Sequence, residues 1–359
     1  MLKAGLIGLP STGKSTLFRL LTSSGESAGG GGRQDPLMGV AQVPDARLDR
    51  LTALFEPKKH VPATLEVTEL AGHGGATALV DVSGFRNAHA LLHVLRMFTD
   101  GRVPHASGNV DPLRDIRAME DELILADLAV AEKRLDRIQQ DRKKGKSREL
   151  DEEQRVIETC RSALEEGQAL RTLTLDGDDT KRLRGFSFLS AKPQLVVLNL
   201  DEADITDPAG AVERAGLTEA LGGAGTEAVP LCAKIELEIA ELPPEDRVAF
   251  LADLGLADSG LDRVIRASYH LLGYLSFFTV GKDECRAWSI PAGTPAQEAA
   301  GEIHSDLARG FIRAEVVPYD ALIARDGSHT ACREHGEVRL EGKEYIVADG
   351  DVINFRFAT

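Results

Sequence analysis

Apolar residues fall along this chain in short runs separated by longer helical stripes. Leu2 to Ile7 reads as a short buried strand and Lys14 to Leu21 as the start of a helix. Thr64 to Leu70, Leu91 to Phe98, Gln194 to Asn199 and Ala228 to Leu231 have the length and apolar content of further strands. Strands that alternate with helices predict an α/β fold, a mostly parallel sheet covered on both faces, with ligands at the carboxyl ends of its strands. The glycine-bearing segment Gly8 to Ser15 lies at such an end.

Between Met119 and Leu173 the period changes. Ile124, Leu128, Ala131, Leu135 and Ile138 recur at alternating spacings of four and three, which makes one apolar stripe along a helix flanked by charge. Ile157, Cys160 and Leu164 mark a second helix, and Asp141 to Leu150 (DRKKGKSREL) has the glycine and polar run of a turn, so the pair reads as an antiparallel helical hairpin. Its basic tip reads first as a solvated turn and second as a contact for RNA phosphates. After about Phe277 a separate small α+β unit follows: strand-like Arg286 to Ile290, helical Pro295 to Ile303, then short strands at Arg313 to Val317, Glu344 to Val347 and Val352 to Phe357. Gly25 to Gly32 is of low complexity.

The chain has 359 residues, 43% of them hydrophobic, enough for two or three cores. Its formal charge of -15 argues against indiscriminate binding to DNA, RNA or an acidic membrane, so any RNA contact must use a local basic patch. Cys160, Cys232, Cys285 and Cys332 are scattered, with no metal-ligand spacing and no disulfide framework, which fits a reducing compartment. The first residues run straight into a strand, and no apolar run approaches the ~20 residues of a membrane helix. The expected location is therefore the cytoplasm.

Gly8-Leu9-Pro10-Ser11-Thr12-Gly13-Lys14-Ser15 satisfies GxxxxGK[ST] between a strand and a helix, where a phosphate loop requires it. Glycine lets successive backbone N–H groups turn inward, and the helix N-terminus adds partial positive charge. Lys14 is placed to reach the β/γ-phosphates, and the Ser15 hydroxyl to ligate Mg²⁺.

Several long segments, in order, resemble the Obg-like ATPases of the YchF family. They include GLPSTGKSTLF (Gly8 to Phe18), PDARLDRL (Pro44 to Leu51), NVDPLRDI (Asn109 to Ile116), ELILADLAVAEKRL (Glu122 to Leu135), GFIRAEV (Gly310 to Val316) and RLEGKEYIVADGDVINFRF (Arg339 to Phe357). The resemblance implies a P-loop G domain (1–117 and 186–276), an inserted helical hairpin (118–185) and a C-terminal β-grasp, ubiquitin-like TGS domain (277–359). It also implies a ribosome-associated, Mg²⁺-dependent ATPase whose phosphate site takes in Gly8, Ser11, Thr12, Gly13, Lys14, Ser15 and Thr16.

The family's base-recognition pattern NxxE appears as Asn199-Leu200-Asp201-Glu202, with Cys232-Ala233-Lys234 as the loop beside the base. Glu202, in place of the Asp usual in GTPases, implies that ATP is preferred to GTP. Asp201, one residue early, offers a competing carboxylate. Three departures bear on hydrolysis. The metal-side DxxG appears as Glu69-Leu70-Ala71-Gly72, a carboxylate longer by one bond of about 1.5 Å. Gly29 to Gln34 (GGGGRQ) carries no switch I threonine. His73 stands where the family has a hydrophobic residue, and a neutral imidazole can orient an attacking water; the plainer reading is an exposed loop residue. Two functions remain open: an ATPase with Lys14 and His73 as catalytic groups and Ser15 and Glu69 on the metal, or a hydrolysis-impaired adaptor on the ribosome.

Overall fold

A computed structural model describes residues 2–22, 36–70, 82–143 and 147–358. By packing, the chain forms two compact units, one of Leu2–Val40 and Glu66–Leu271, the other of Ala41–Leu65 and the chain from Leu272 onward.

In the larger unit, β1 (Leu2–Ile7) leads through the glycine loop into α1 (Lys14–Thr22). β2 (Leu37–Gln42) follows, and after α2 (Ala46–Phe55) and β3 (Lys59–Val61), which belong to the other unit, come β4 (Thr64–Glu69) and β5 (Ala90–Arg96). β6 (Gln194–Asn199) and β7 (Thr226–Leu231) complete a sheet of order β2-β4-β1-β5-β6-β7. The pairs β1–β5, β5–β6 and β6–β7 are parallel. β5 and β6 are mostly apolar and buried at every residue, as central strands covered on both faces require, even at polar His93, Arg96, Gln194 and Asn199. Each leucine or valine removed from water there contributes about 1.5–3 kcal/mol.

The stripe in the middle of the sequence folds as α3 (Pro112–Arg142) and α4 (Arg148–Glu165). Ile124, Ala131 and Leu135 bury against Ile157, Cys160 and Leu164, with Leu128 packed beside them. α3 starts earlier than the stripe. Asp111 caps it by accepting from the Arg114 N–H, and Pro112 takes a first-turn position, where its missing N–H leaves no bond unmade.

The C-terminal segment adds β8 (Tyr274–Val280), β9 (Glu284–Pro291), β10 (Phe311–Pro318), β11 (Arg339–Glu341) and β12 (Asp351–Phe357). Its sheet runs β11-β10-β12-β8-β9-β3, with first and last strands β8 and β12 side by side and parallel. The helix Ala296–Ile303 buries Ala296, Ala299 and Ala300 against that sheet, which is the β-grasp arrangement expected of this segment. Glu344 to Val347 is not a strand: only Ile346 makes an isolated bridge, to Pro295, while Val347 turns into the core. In the same unit β3 pairs with β9, and Arg47 on α2 makes a two-pronged contact with Asp349. Among the described residues no helix is long and apolar enough to cross a membrane.

Candidate functional site

The phosphate loop is held by its backbone conformation. Gly8 has φ 142° and Gly13 φ 100°, both in the region that favours glycine. A Cβ on Gly8 would lie 2.5 Å from the Val94 carbonyl oxygen, and one on Gly13 2.5 Å from Asn199 Nδ2. Ser11 is left-handed without being glycine, at φ 62°.

Side-chain donors take the carbonyls around this turn. Lys14 Nζ donates to Gly8 (2.8 Å) and Leu9 (2.6 Å), and Thr12 Oγ1 also donates to Leu9 (3.1 Å). Asn199 Nδ2 donates to the Thr12 carbonyl at 3.0 Å, while its Oδ1 accepts from the Ala233 N–H at 3.0 Å. Asn199 is thus a strut between the phosphate loop and the Cys232–Lys234 loop, and it is buried. Thr16 lies in the first turn of α1, half-buried.

On the metal side, Ser15 Oγ donates to Glu69 Oε1 at 2.6 Å. Glu69 is buried, and its Oε2 has no hydrogen-bond partner among the described residues. An orphaned buried carboxylate oxygen beside a hydroxyl fits Mg²⁺, which takes oxygen ligands and keeps several of its waters. The longer side chain still reaches Ser15 because it rises from the last residue of β4.

The base side divides the two carboxylates. Asp201 Oδ2 accepts from the Thr99 N–H (3.0 Å) and hydroxyl (2.9 Å), so it fastens the segment after β5. Glu202 is exposed and pairs with Lys234. Leu200 and Cys232 lie in the core beneath, and burial pushes the Cys232 thiol pKa up. His73 and Gly29 to Gln34 lie outside the described residues.

Two groups near the loop escaped the sequence reading. Arg96, the last residue of β5, is almost wholly buried and reaches the Ser11 carbonyl. His105 and Asp115 form a buried pair at 2.9 Å that fixes the start of α3. A polar residue at a strand end carries no signal of burial, and the Asp111-Pro112 cap was the readable cue to where α3 begins.

A parallel sheet with this loop after its first strand, a GKS helix start and an Asn–Ala233 strut defines a P-loop nucleotide-binding protein of the G-domain type. A family model described as YchF-GTPase_C, "Protein of unknown function (DUF933)", matches residues 274–358. The chain is 43% identical over 364 residues to the "Ribosome-binding ATPase YchF" of Bacillus subtilis (strain 168), covering 99% of each. With the protein of that name from Escherichia coli O157:H7 it shares 39% over 363 residues, again 99% of each. The solved "Structure of the Schizosaccharomyces pombe YchF GTPase" superposes with a TM-score of 0.85 at 30% identity, covering 99% of this chain and 97% of that one. The chain belongs to the YchF family.

Burial of Lys14 lowers its pKa from 10.5 to about 8, with Glu69 opposing the shift. A bound polyphosphate favours the ammonium, so binding near pH 8 should take up about half a proton per site, and almost none near pH 6. Calorimetry of ADP binding in two buffers of different ionisation enthalpy measures this directly. The sign in the free protein is opposite. Between about 8 and 10.5 the unfolded chain holds more protons than the folded one, so stability without nucleotide rises with pH across that window.

Proposed function

We propose that this protein hydrolyses ATP with Mg²⁺, with GTP a weaker substrate, in association with the ribosome in the cytoplasm. The observation that carries the reading is the Ser15–Glu69 contact next to a phosphate loop whose Gly8, Leu9 and Thr12 carbonyls are turned to internal donors. The names of the bacterial relatives support the ribosome and the ATPase activity. In this reading Gly8, Ser11, Thr12, Gly13 and Thr16 wrap the phosphates and Lys14 neutralises the β/γ oxygens. Asn199, Glu202 and Lys234 border the base, with Leu200, Cys232 and Ala233 shaping the loop behind it. Ser15 and Glu69 would hold Mg²⁺, which when bound supplies positive charge to the triphosphate. Water adds to the γ-phosphorus, the bond to the bridging oxygen breaks, and ADP and phosphate leave. His73 is proposed to orient that water.

The hairpin tip is proposed to face ribosomal RNA. Of its basic residues, Arg142 pairs with Asp151 and Arg148 with Glu152. Lys143 ends α3, and Lys144 and Lys146 lie outside the described residues. RNA phosphates would replace those two carboxylates, so ribosome association is expected to weaken with salt. The activity is tested by phosphate release from ATP and GTP, with Mg²⁺ or with a chelator. The reading expects release with Mg²⁺, ATP ahead of GTP. Equal rates, or release that the chelator leaves untouched, would remove the base and metal assignments respectively.

A further inference from the structure

Arg96 is a buried charge, 2% exposed, with no carboxylate in contact among the described residues; Asp100, whose pKa is lowered mainly by Arg102, feels it only through space. Its guanidinium instead donates to three main-chain carbonyls, of Phe98 (3.2 Å), Val103 (2.9 Å) and Ser11 (3.4 Å), and the Phe98 ring lies 4.4 Å from Cζ. Interiors hold charges in pairs because an unpaired ion loses its hydration with nothing to replace it. Here main-chain carbonyls take the place of a carboxylate, so the guanidinium ties together the segments that carry them.

The Ser11 carbonyl links this guanidinium to the phosphate loop. In a trans peptide the C=O of one residue and the N–H of the next point in opposite directions. A donor that fixes the Ser11 carbonyl therefore turns the Thr12 N–H to the other side of the loop. Asn199 does the same for Thr12 and the Gly13 N–H. Arg96 supplies the donor for the one peptide of the group whose residue is left-handed without being glycine, Ser11 at φ 62°. Such a conformation persists only where its surroundings hold it. The same guanidinium fixes the segment after β5, which Thr99 fastens to Asp201 at its other side.

We infer that Arg96 is a positioning residue for phosphate binding: it fixes the Ser11–Thr12 peptide with its N–H toward the polyphosphate. The inference rests on the reading that Gly8 to Ser15 binds a nucleoside polyphosphate. Arg96→Met and Arg96→Lys test it in the full chain, by titration with ADP, ATP and GTP and by thermal melting without nucleotide. Loss of a charged hydrogen bond predicts that Arg96→Met weakens ADP and ATP by about tenfold or more. The ATP-to-GTP ratio should stay unchanged, and the nucleotide-free melt should stay near that of wild type, because removing a buried charge offsets the donor lost by the Phe98, Val103 and Ser11 carbonyls. A merely structural arginine would lower the melt instead. Arg96→Lys keeps the charge but loses the fork, and should fall by about fivefold with a wild-type melt. Binding of both variants within about twofold of wild type overturns the inference, as does a lost affinity matched by a lowered nucleotide-free melt. Should Arg96→Met not fold, Arg96→Lys decides alone on the same criteria. Absence of wild-type binding would remove the nucleotide reading itself, and the wild-type titration tells that outcome apart.

Discussion

Lys14→Ala is expected to bring ATP turnover down by about 10²–10³-fold while the protein stays folded. The ammonium sits between the Gly8 and Leu9 carbonyls, at the mouth of α1, where it is the cation closest to the loop's own backbone. Removing it leaves the polyphosphate with main-chain N–H groups and a helix terminus, which bind an anion but do not neutralise it. Burial lowers the Lys14 pKa to about 8, so keeping it charged in the folded protein costs stability, which offsets its bonds to the Gly8 and Leu9 carbonyls. The melting temperature without nucleotide should therefore hold or rise. Phosphate release and a thermal scan on the same preparation check both halves. A variant that turns over ATP at the wild-type rate would show that the loop is not the catalytic site.

The second large effect lies at the root of the hairpin. Asp127 on α3 is fully buried and accepts from the Leu189 N–H (2.9 Å), the Ser190 N–H (2.7 Å) and the Ser190 hydroxyl (2.8 Å). Arg86 donates to it at 3.1 Å and continues to the Ser187 and Ala126 carbonyls. Asp127→Ala leaves a guanidinium and three donors without their acceptor. Breaking a buried pair from one side costs about 3–5 kcal/mol. For a unit of this size that is on the order of 10 °C in melting temperature. Asp127→Asn keeps one acceptor oxygen and should lose less. If Asp127→Ala melts within about 2 °C of wild type, the network is not what fastens the hairpin.

What the sequence revealed follows the range of the forces involved. The phosphate loop was legible because its glycines, lysine and serine are demanded by local backbone geometry and by the ligand. β6 was legible to the residue because a fully buried parallel strand reads as an unbroken apolar run. The hairpin stripe was legible for the same reason at a helical period. Asp127 was not, because it sits within that helix and its burial comes from donors 62 and 63 residues away. Arg96 looked like an ordinary polar end to a strand. The packing of Ala41–Leu65 with the C-terminal segment was equally hidden, since it rests on β3–β9 pairing and on Arg47 meeting Asp349 across 302 residues. Glu344 to Val347 had a strand's composition, but Pro295 meets it at a single bridge, so no ladder forms.

Asp201 and Glu202 differ in reach rather than in residue type. Both are carboxylates at the end of a buried strand. Asp201 is drawn to Thr99 by two hydrogen bonds, which leaves Glu202, paired only to the exposed Lys234, as the carboxylate at the open side of the loop. The proposed preference for adenine rests on Glu202 standing where GTPases usually carry Asp.

The most direct test is calorimetric titration of the purified full-length chain with ADP and with ATP, with and without Mg²⁺. The predicted result is one site of micromolar affinity, tightened for ATP by the metal. No heat and no shift in melting temperature for either nucleotide at millimolar concentration would contradict it, because a folded phosphate loop with a buried ammonium would then be holding nothing.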